Sequence, residues 1–170
     1  MKRAIALLEK HNLLKIISDE LDINLEIPHI AYVEVKRPDS KAILFTNVVD
    51  RKNSKKFKEP VLMNVFCNED AVKLFIGDGD KIGSEIESLL KLKPPVTFSE
   101  KLSTLGKLFS LKNTIPKKIK GKGVCQEVIK LGADAKLSDL PVIKTWEEDG
   151  GAFITMGQVY TQSLNGELKN

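Results

Sequence analysis

Few side chains in this sequence are of the kinds that do chemistry, and they are scattered. His11 and His29 are the two histidines, both near the start of the chain. An imidazole can act as a general base or hold a metal, but each stands alone, and a lone histidine is far more often a structural or surface residue than a ligand. Cys67 and Cys125 lie far apart without the paired spacing of a zinc site or a disulfide framework, so free, buried thiols are expected. Glu147, Glu148 and Asp149 form an acidic run that could suggest a metal site. Adjacent carboxylates on an extended chain point alternately to opposite sides, which favours solvation over ligation. Gly150 and Gly151 follow with neither GxGxxG spacing nor a helix after them, so they read as turn residues rather than a phosphate cradle. Asp149 is placed to cap or brace that turn. Trp146, the single tryptophan, is expected to pack beneath it.

Charge narrows the classes further. The net charge of +4 comes from 27 basic and 23 acidic residues, with much of the excess in RKNSKKFK (51–58) and PKKIKGKG (116–123). Lysine clusters can contact phosphates, but no aromatic residues alternate with the lysines of the second cluster. Neither carries a nucleic-acid-binding motif. Both read as solvated loops, and nucleic acid is not an expected partner. Hydrophobic residues at 42% and charged residues at 29% give the balance of a soluble globular chain. No stretch is long and apolar enough to span a bilayer, and no cleavage site follows MKRAIALLEKHN, so a cytoplasmic location is expected.

The elements that must position these residues can be taken in chain order. Ile5, Leu8 and Asn12 recur at helical spacing, and His11-Asn12 interrupts or caps the run before LLKIISDEL. IAYVEVKR (30–37) passes for a strand by alternation, yet Pro28 suits the start of a helix. AILFTNVV (42–49) and PVLMNVFC (60–67) predict neighbouring, largely buried strands. NEDAVKLFIG (68–77) predicts a helix capped by Asn68 and ended by Gly77. Helices are also predicted over 81–93, closed by Pro94-Pro95, and over 99–111 after a Ser99 cap. The lysine, proline and glycine content then marks a boundary, giving an α/β domain over 1–112 and a linker over 113–122. Strands are predicted over 123–132 and 153–163, with a hairpin at Asn165-Gly166. The arm after that turn is so short that it would leave backbone groups unpaired. The chain is therefore expected to be cut inside a sheet.

The segment from Gln126 to Asn170 resembles the central region of the UbiD family of decarboxylases. The likeness rests on Leu140-Pro141, on the Trp-x-x-Asp-Gly-Gly run from Trp146 to Gly151, on Ile154-Thr155 and on an Asn after the hairpin. AILFTNVV and PVLMNVFCNEDAVKLFIG resemble the family's N-terminal domain, so the likeness covers nearly the whole chain. It implies an α+β protein in which residues 123–170 begin a split β-barrel of flavin-reductase type. It also implies that the stretch around 30–37 is helical.

The resemblance further implies a non-oxidative carboxy-lyase acting on an aromatic acid precursor of menaquinone or ubiquinone. Such an enzyme uses prenylated FMN from a flavin prenyltransferase, held through its phosphate by Mn²⁺ with K⁺ nearby, and is a homo-oligomer. Asn170 matches the family's first metal-ligating position, and an amide oxygen is a suitable hard ligand. Thr155 matches the threonine set against the flavin, where its hydroxyl can donate or accept. No catalytic residue is assigned, because the family's other metal ligands and its catalytic Arg and Glu residues match positions beyond Asn170. The 170-residue chain alone is accordingly expected to be inactive. The competing reading is a non-catalytic flavin- or partner-binding module.

Overall fold

The first helix, α1 (Lys2–Lys10), ends where the sequence places a stop. Asn12 adopts φ 56°, and the amides of Asn12 and Leu13 donate to the carbonyls of Glu9 and Leu8 at 3.0 and 2.8 Å. This is the pairing that satisfies the last carbonyls of a helix, with asparagine tolerating the left-handed turn. The computed structural model describes residues 1–91, 116 and 118–169. They form two units, one of Met1–Ile76 with the described residues from Lys136 onward, the other of Gly77–Ala135.

In the first unit LLKIISDEL becomes a strand, β1 (Leu14–Asp22), to which the sequence reading gives no element of its own. It runs parallel to β2 (Ala42–Asp50), and α2 (Glu26–Val35) makes the crossover. Ile17 lies opposite Phe45 and Glu20 opposite Asn47, so β1 carries a bulge that breaks its alternation. Pro28 falls in the first turn of α2, where no amide is needed, and the stretch after it is helical as the resemblance implies. Ile27, Ala31 and Glu34 make the inner stripe of that helix, and Lys15 of β1 meets the buried Glu34 carboxylate at 3.3 Å.

The lysine-rich stretch after β2 is a hairpin turn. Asp50 accepts from the Asn53 backbone and side-chain amides at 3.1 and 2.7 Å, and the chain returns antiparallel to β2 as β3 (Lys55–Lys56) and β4 (Val61–Met63). The strand expected over 60–67 thus shortens to three residues. α3 (Glu69–Ile76) follows, its Ala71 amide donating to the Asn68 side chain at 2.9 Å and its end marked by Gly77 at φ 96°. The result is a mixed α/β unit around an open four-stranded sheet. Ile23, Ile27, Ile43, Phe45, Val48, Phe57 and Val61 form its core together with Ile143, far away in sequence.

Two expected strands are absent. Over 123–132 the chain makes a short 3-10 turn at Val124–Gln126, and Val124, Val128, Ile129 and Leu131 are all exposed. Branched side chains favour a strand only when neighbouring strands and a buried face reward it. Over 153–163 pairing is limited to isolated bridges, Ile143 with Phe153 and Gln162 with Lys169. Met156 at φ 58° turns the chain out of extended geometry after three residues. The Asn165-Gly166 turn is present: the Gly166 amide donates to the Ser163 carbonyl at 2.9 Å, and Gly166 sits at φ 76° where a Cβ would press on Gln162.

In the second unit α4 (Gly79–Leu90) is capped by Asp78, which accepts from the Asp80 and Lys81 amides. It starts two residues before the predicted helix and buries none of its residues. The helix predicted over 99–111, Pro94-Pro95 and Asn170 lie outside the described residues. Among the described residues no helix is long and apolar enough to cross a membrane.

One acid-sensitive contact holds the start of α2. Glu26 accepts from the Asp22 amide at 2.8 Å and from the Arg51 guanidinium, and these two donors hold its carboxyl below the usual 4.5. A depressed carboxylate stabilises the fold above its unfolded pKa, and that contribution disappears as pH falls through the folded value. Glu26→Gln should therefore flatten the loss of stability below pH 4.5 in urea titrations run at several pH values. Equal acid sensitivity in the two proteins would show that solvent screens the contact to nothing.

Candidate functional site

The short β4 and the bend at Leu140-Pro141 together frame an apolar cavity of about 220 Å³. Val61 and Met63 form one wall, Val142 and Ile143 a second, and Phe153, Ile154 and Thr155 a third. Thr155, the residue carried over from the resemblance, is thereby placed on a cavity wall. It is exposed, and among the described residues its hydroxyl has no hydrogen-bond partner. No lining residue carries a charge. This surface is apolar and offers a single hydroxyl and no charge to a ligand. No group of three or more His, Cys, Asp and Glu side chains among the described residues could hold a metal. The described part of the site is thus an apolar cavity with one hydroxyl on its wall.

A second cavity of about 350 Å³ opens beside α2, with Tyr32, His29, Met63 and Trp146 on its walls. Trp146 does not pack beneath the turn; it is 56% exposed and meets Tyr32 edge to face, with ring centroids 5.5 Å apart. The turn itself is braced by Asp149, which accepts from the Trp146 amide at 2.9 Å, while Glu147 and Glu148 are exposed.

The remaining sequence candidates are structural. Cations of the 51–58 cluster are engaged in ion pairs: Arg51 with Glu26, Lys55 with Asp139 at 3.2 Å and Lys56 with Glu20 at 3.6 Å. His11 caps α1. Both cysteines are free. Cys67 is buried, and burial pushes its thiol above the ordinary value; Cys125 is exposed, contrary to expectation, because the strand that would have covered it does not form.

Sequence reasoning did not find the cavity around Thr155, since residues 61–63, 140–143 and 153–155 meet only in the fold. A parallel β-α-β pair extended by a hairpin, with an apolar cavity beside β4 that carries one hydroxyl on its wall, makes this a mixed α/β protein. Residues 5–90 match the 3-octaprenyl-4-hydroxybenzoate carboxy-lyase N-terminal domain, and residues 117–170 match the Rift-related domain of the same enzyme. The chain belongs to the UbiD family. An uncharacterized protein of Helicobacter pylori is 42% identical over the whole chain. Uncharacterized proteins of Aquifex aeolicus and Aeropyrum pernix are 37% and 31% identical over 96% and 91% of it. The chain spans 28% of the Helicobacter pylori protein and 32% and 31% of the other two.

Proposed function

We propose that the chain is the N-terminal part of a UbiD-type non-oxidative decarboxylase that acts on an aromatic acid precursor of menaquinone or ubiquinone, using prenylated FMN and a divalent metal. The observation that carries this reading is the family match over both segments, joined to the position of Thr155 on an uncharged cavity wall. In the same reading residues 1–112 are the α/β domain, 113–122 the linker, and 123–170 the start of a split β-barrel. Mn²⁺ with a nearby K⁺, a flavin prenyltransferase as supplier, a homo-oligomeric state and a cytoplasmic location belong to it as well.

Loss of carbon dioxide from an aromatic acid leaves an electron pair that protein side chains accommodate poorly, and a bound prenylated flavin supplies the electrophilic sink. The chain's own part is orientation. The Thr155 hydroxyl would hydrogen-bond one edge of the ring, while Val61, Met63, Ile143 and Phe153 cover apolar surface and exclude water. Asn170 would contribute one oxygen to the metal that holds the phosphate, with partners supplied from outside the described residues.

The test is carbon dioxide release from 4-hydroxybenzoate-type acids by the full-length protein reconstituted with prenylated FMN and Mn²⁺. Turnover dependent on both supports the reading. Flavin binding with no turnover on any aromatic acid would instead identify a non-catalytic binding module.

A further inference from the structure

Ile143 and Lys144 are where the segment bearing Thr155 is fastened to the α/β unit. Ile143 is 5% exposed, its side chain among Ile23, Ile27, Phe45 and Val61. The backbone of Lys144 is paired to Ile23 and Leu25, in the connection just past the end of β1. Its amide donates to the Ile23 carbonyl at 3.1 Å, and its carbonyl accepts from the Leu25 amide at 3.1 Å. Leu25 takes φ 66°, a left-handed conformation unusual for a branched-chain residue, to start α2 while making that bond. On its other side Ile143 accepts from the Phe153 amide at 3.0 Å, two residues before Thr155. Upstream, Lys55 of β3 reaches both the Ser138 carbonyl and the Asp139 carboxylate.

From this geometry we infer that Ile143 and Lys144 form a positioning strap: the core of the α/β unit, through the strap's backbone, sets where the Thr155 hydroxyl stands on the cavity wall. The segment 153–155 has few other means of holding its place. Phe153 and Ile154 are 54% and 59% exposed, and the chain leaves extended geometry at Met156. One backbone bond to a residue locked in the core therefore does most of the placing. The inference rests on the cofactor reading only in giving Thr155 its ligand; the mechanical linkage stands without it.

Lys144→Pro removes the amide that donates to Ile23 while leaving Ile143 in sequence. Exchange of the Phe153 amide, which donates to the Ile143 carbonyl, should then quicken about tenfold in the full chain, with β2 amides unchanged. Ile143→Val, which keeps an apolar anchor, should stay within about twofold of the parent. Lys55→Met, which removes the upstream tether together with the Lys55 contact over the Phe57 ring, should give a smaller rise in the same place. Unchanged exchange of the Phe153 amide in folded Lys144→Pro would overturn the inference. So would an equal rise in β2, because the segment would then be core filling and nothing more. In the flavin-loaded full-length protein, Lys144→Pro should lower bound flavin about as much as Thr155→Ala does, and the double variant no further. If Thr155→Ala keeps its flavin, Thr155 is not the contact to the cofactor, while the exchange result still decides the strap.

Discussion

Replacing Phe45 by alanine is expected to cost about 3–5 kcal/mol of stability, the range for deleting a buried aromatic side chain. Phe45 has no exposed surface and sits mid-way along β2, the strand that pairs with β1, β3 and β4. Its neighbours in the core come from β1's end, α2, β4 and the distant Ile143, so a cavity there loosens every element of the unit together. Against a total of about 5–15 kcal/mol for a typical domain, such a loss is a large fraction. Urea titration followed by far-UV circular dichroism measures it. Leu164→Ala is the control, because Leu164 is fully exposed and its truncation should stay within about 0.5 kcal/mol. A Phe45→Ala loss below about 1 kcal/mol would mean that the core collapses freely around the gap.

Local signals were legible in the sequence where local chemistry decides the structure. The stop at His11-Asn12, the Asn68 cap and the Asn165-Gly166 turn each depend on one side chain and the backbone within four residues of it. β2 was legible because both of its faces are largely covered, so that branched and apolar residues run almost unbroken. β1 was not, because the bulge between Ile17 and Glu20 shifts its period and its exposed side chains mix Ile16 and Ser18 with Lys15, Asp19 and Glu20. The stretches 123–132 and 153–163 have strand composition but little to pair with among the described residues, and composition alone does not hold a strand. The site was legible only through family resemblance. A threonine on an extended segment is unremarkable until residues 61–63 and 140–143 come up beside it, and no local pattern encodes that meeting. Ile143 shows the same limit: nothing in its neighbourhood marks it as a core residue of an α/β unit built around residues 14–63.

The largest functional effect is expected from Asn170→Ala in the full-length protein. If the Asn170 oxygen ligates the metal that anchors the flavin phosphate, the variant should lose affinity for Mn²⁺ about tenfold or more and purify depleted of both metal and flavin. Its fold should survive, since an asparagine past a hairpin turn contributes no apolar surface to a core. Thr155→Ala should do less. On the cofactor reading its hydroxyl would offer one neutral hydrogen bond to a ring edge, worth about 1 kcal/mol or about a fivefold change in flavin affinity, with metal content following flavin rather than leading it. The two variants are told apart by measuring manganese by elemental analysis and flavin by absorbance on the same preparations. Excess Mn²⁺ in the buffer should restore flavin to Asn170→Ala, because the lost affinity is for the metal, and should leave Thr155→Ala unchanged. Wild-type metal and flavin content in Asn170→Ala, alongside loss of both in Thr155→Ala, would move the cofactor's anchor from the post-hairpin residue to the cavity wall beside β4.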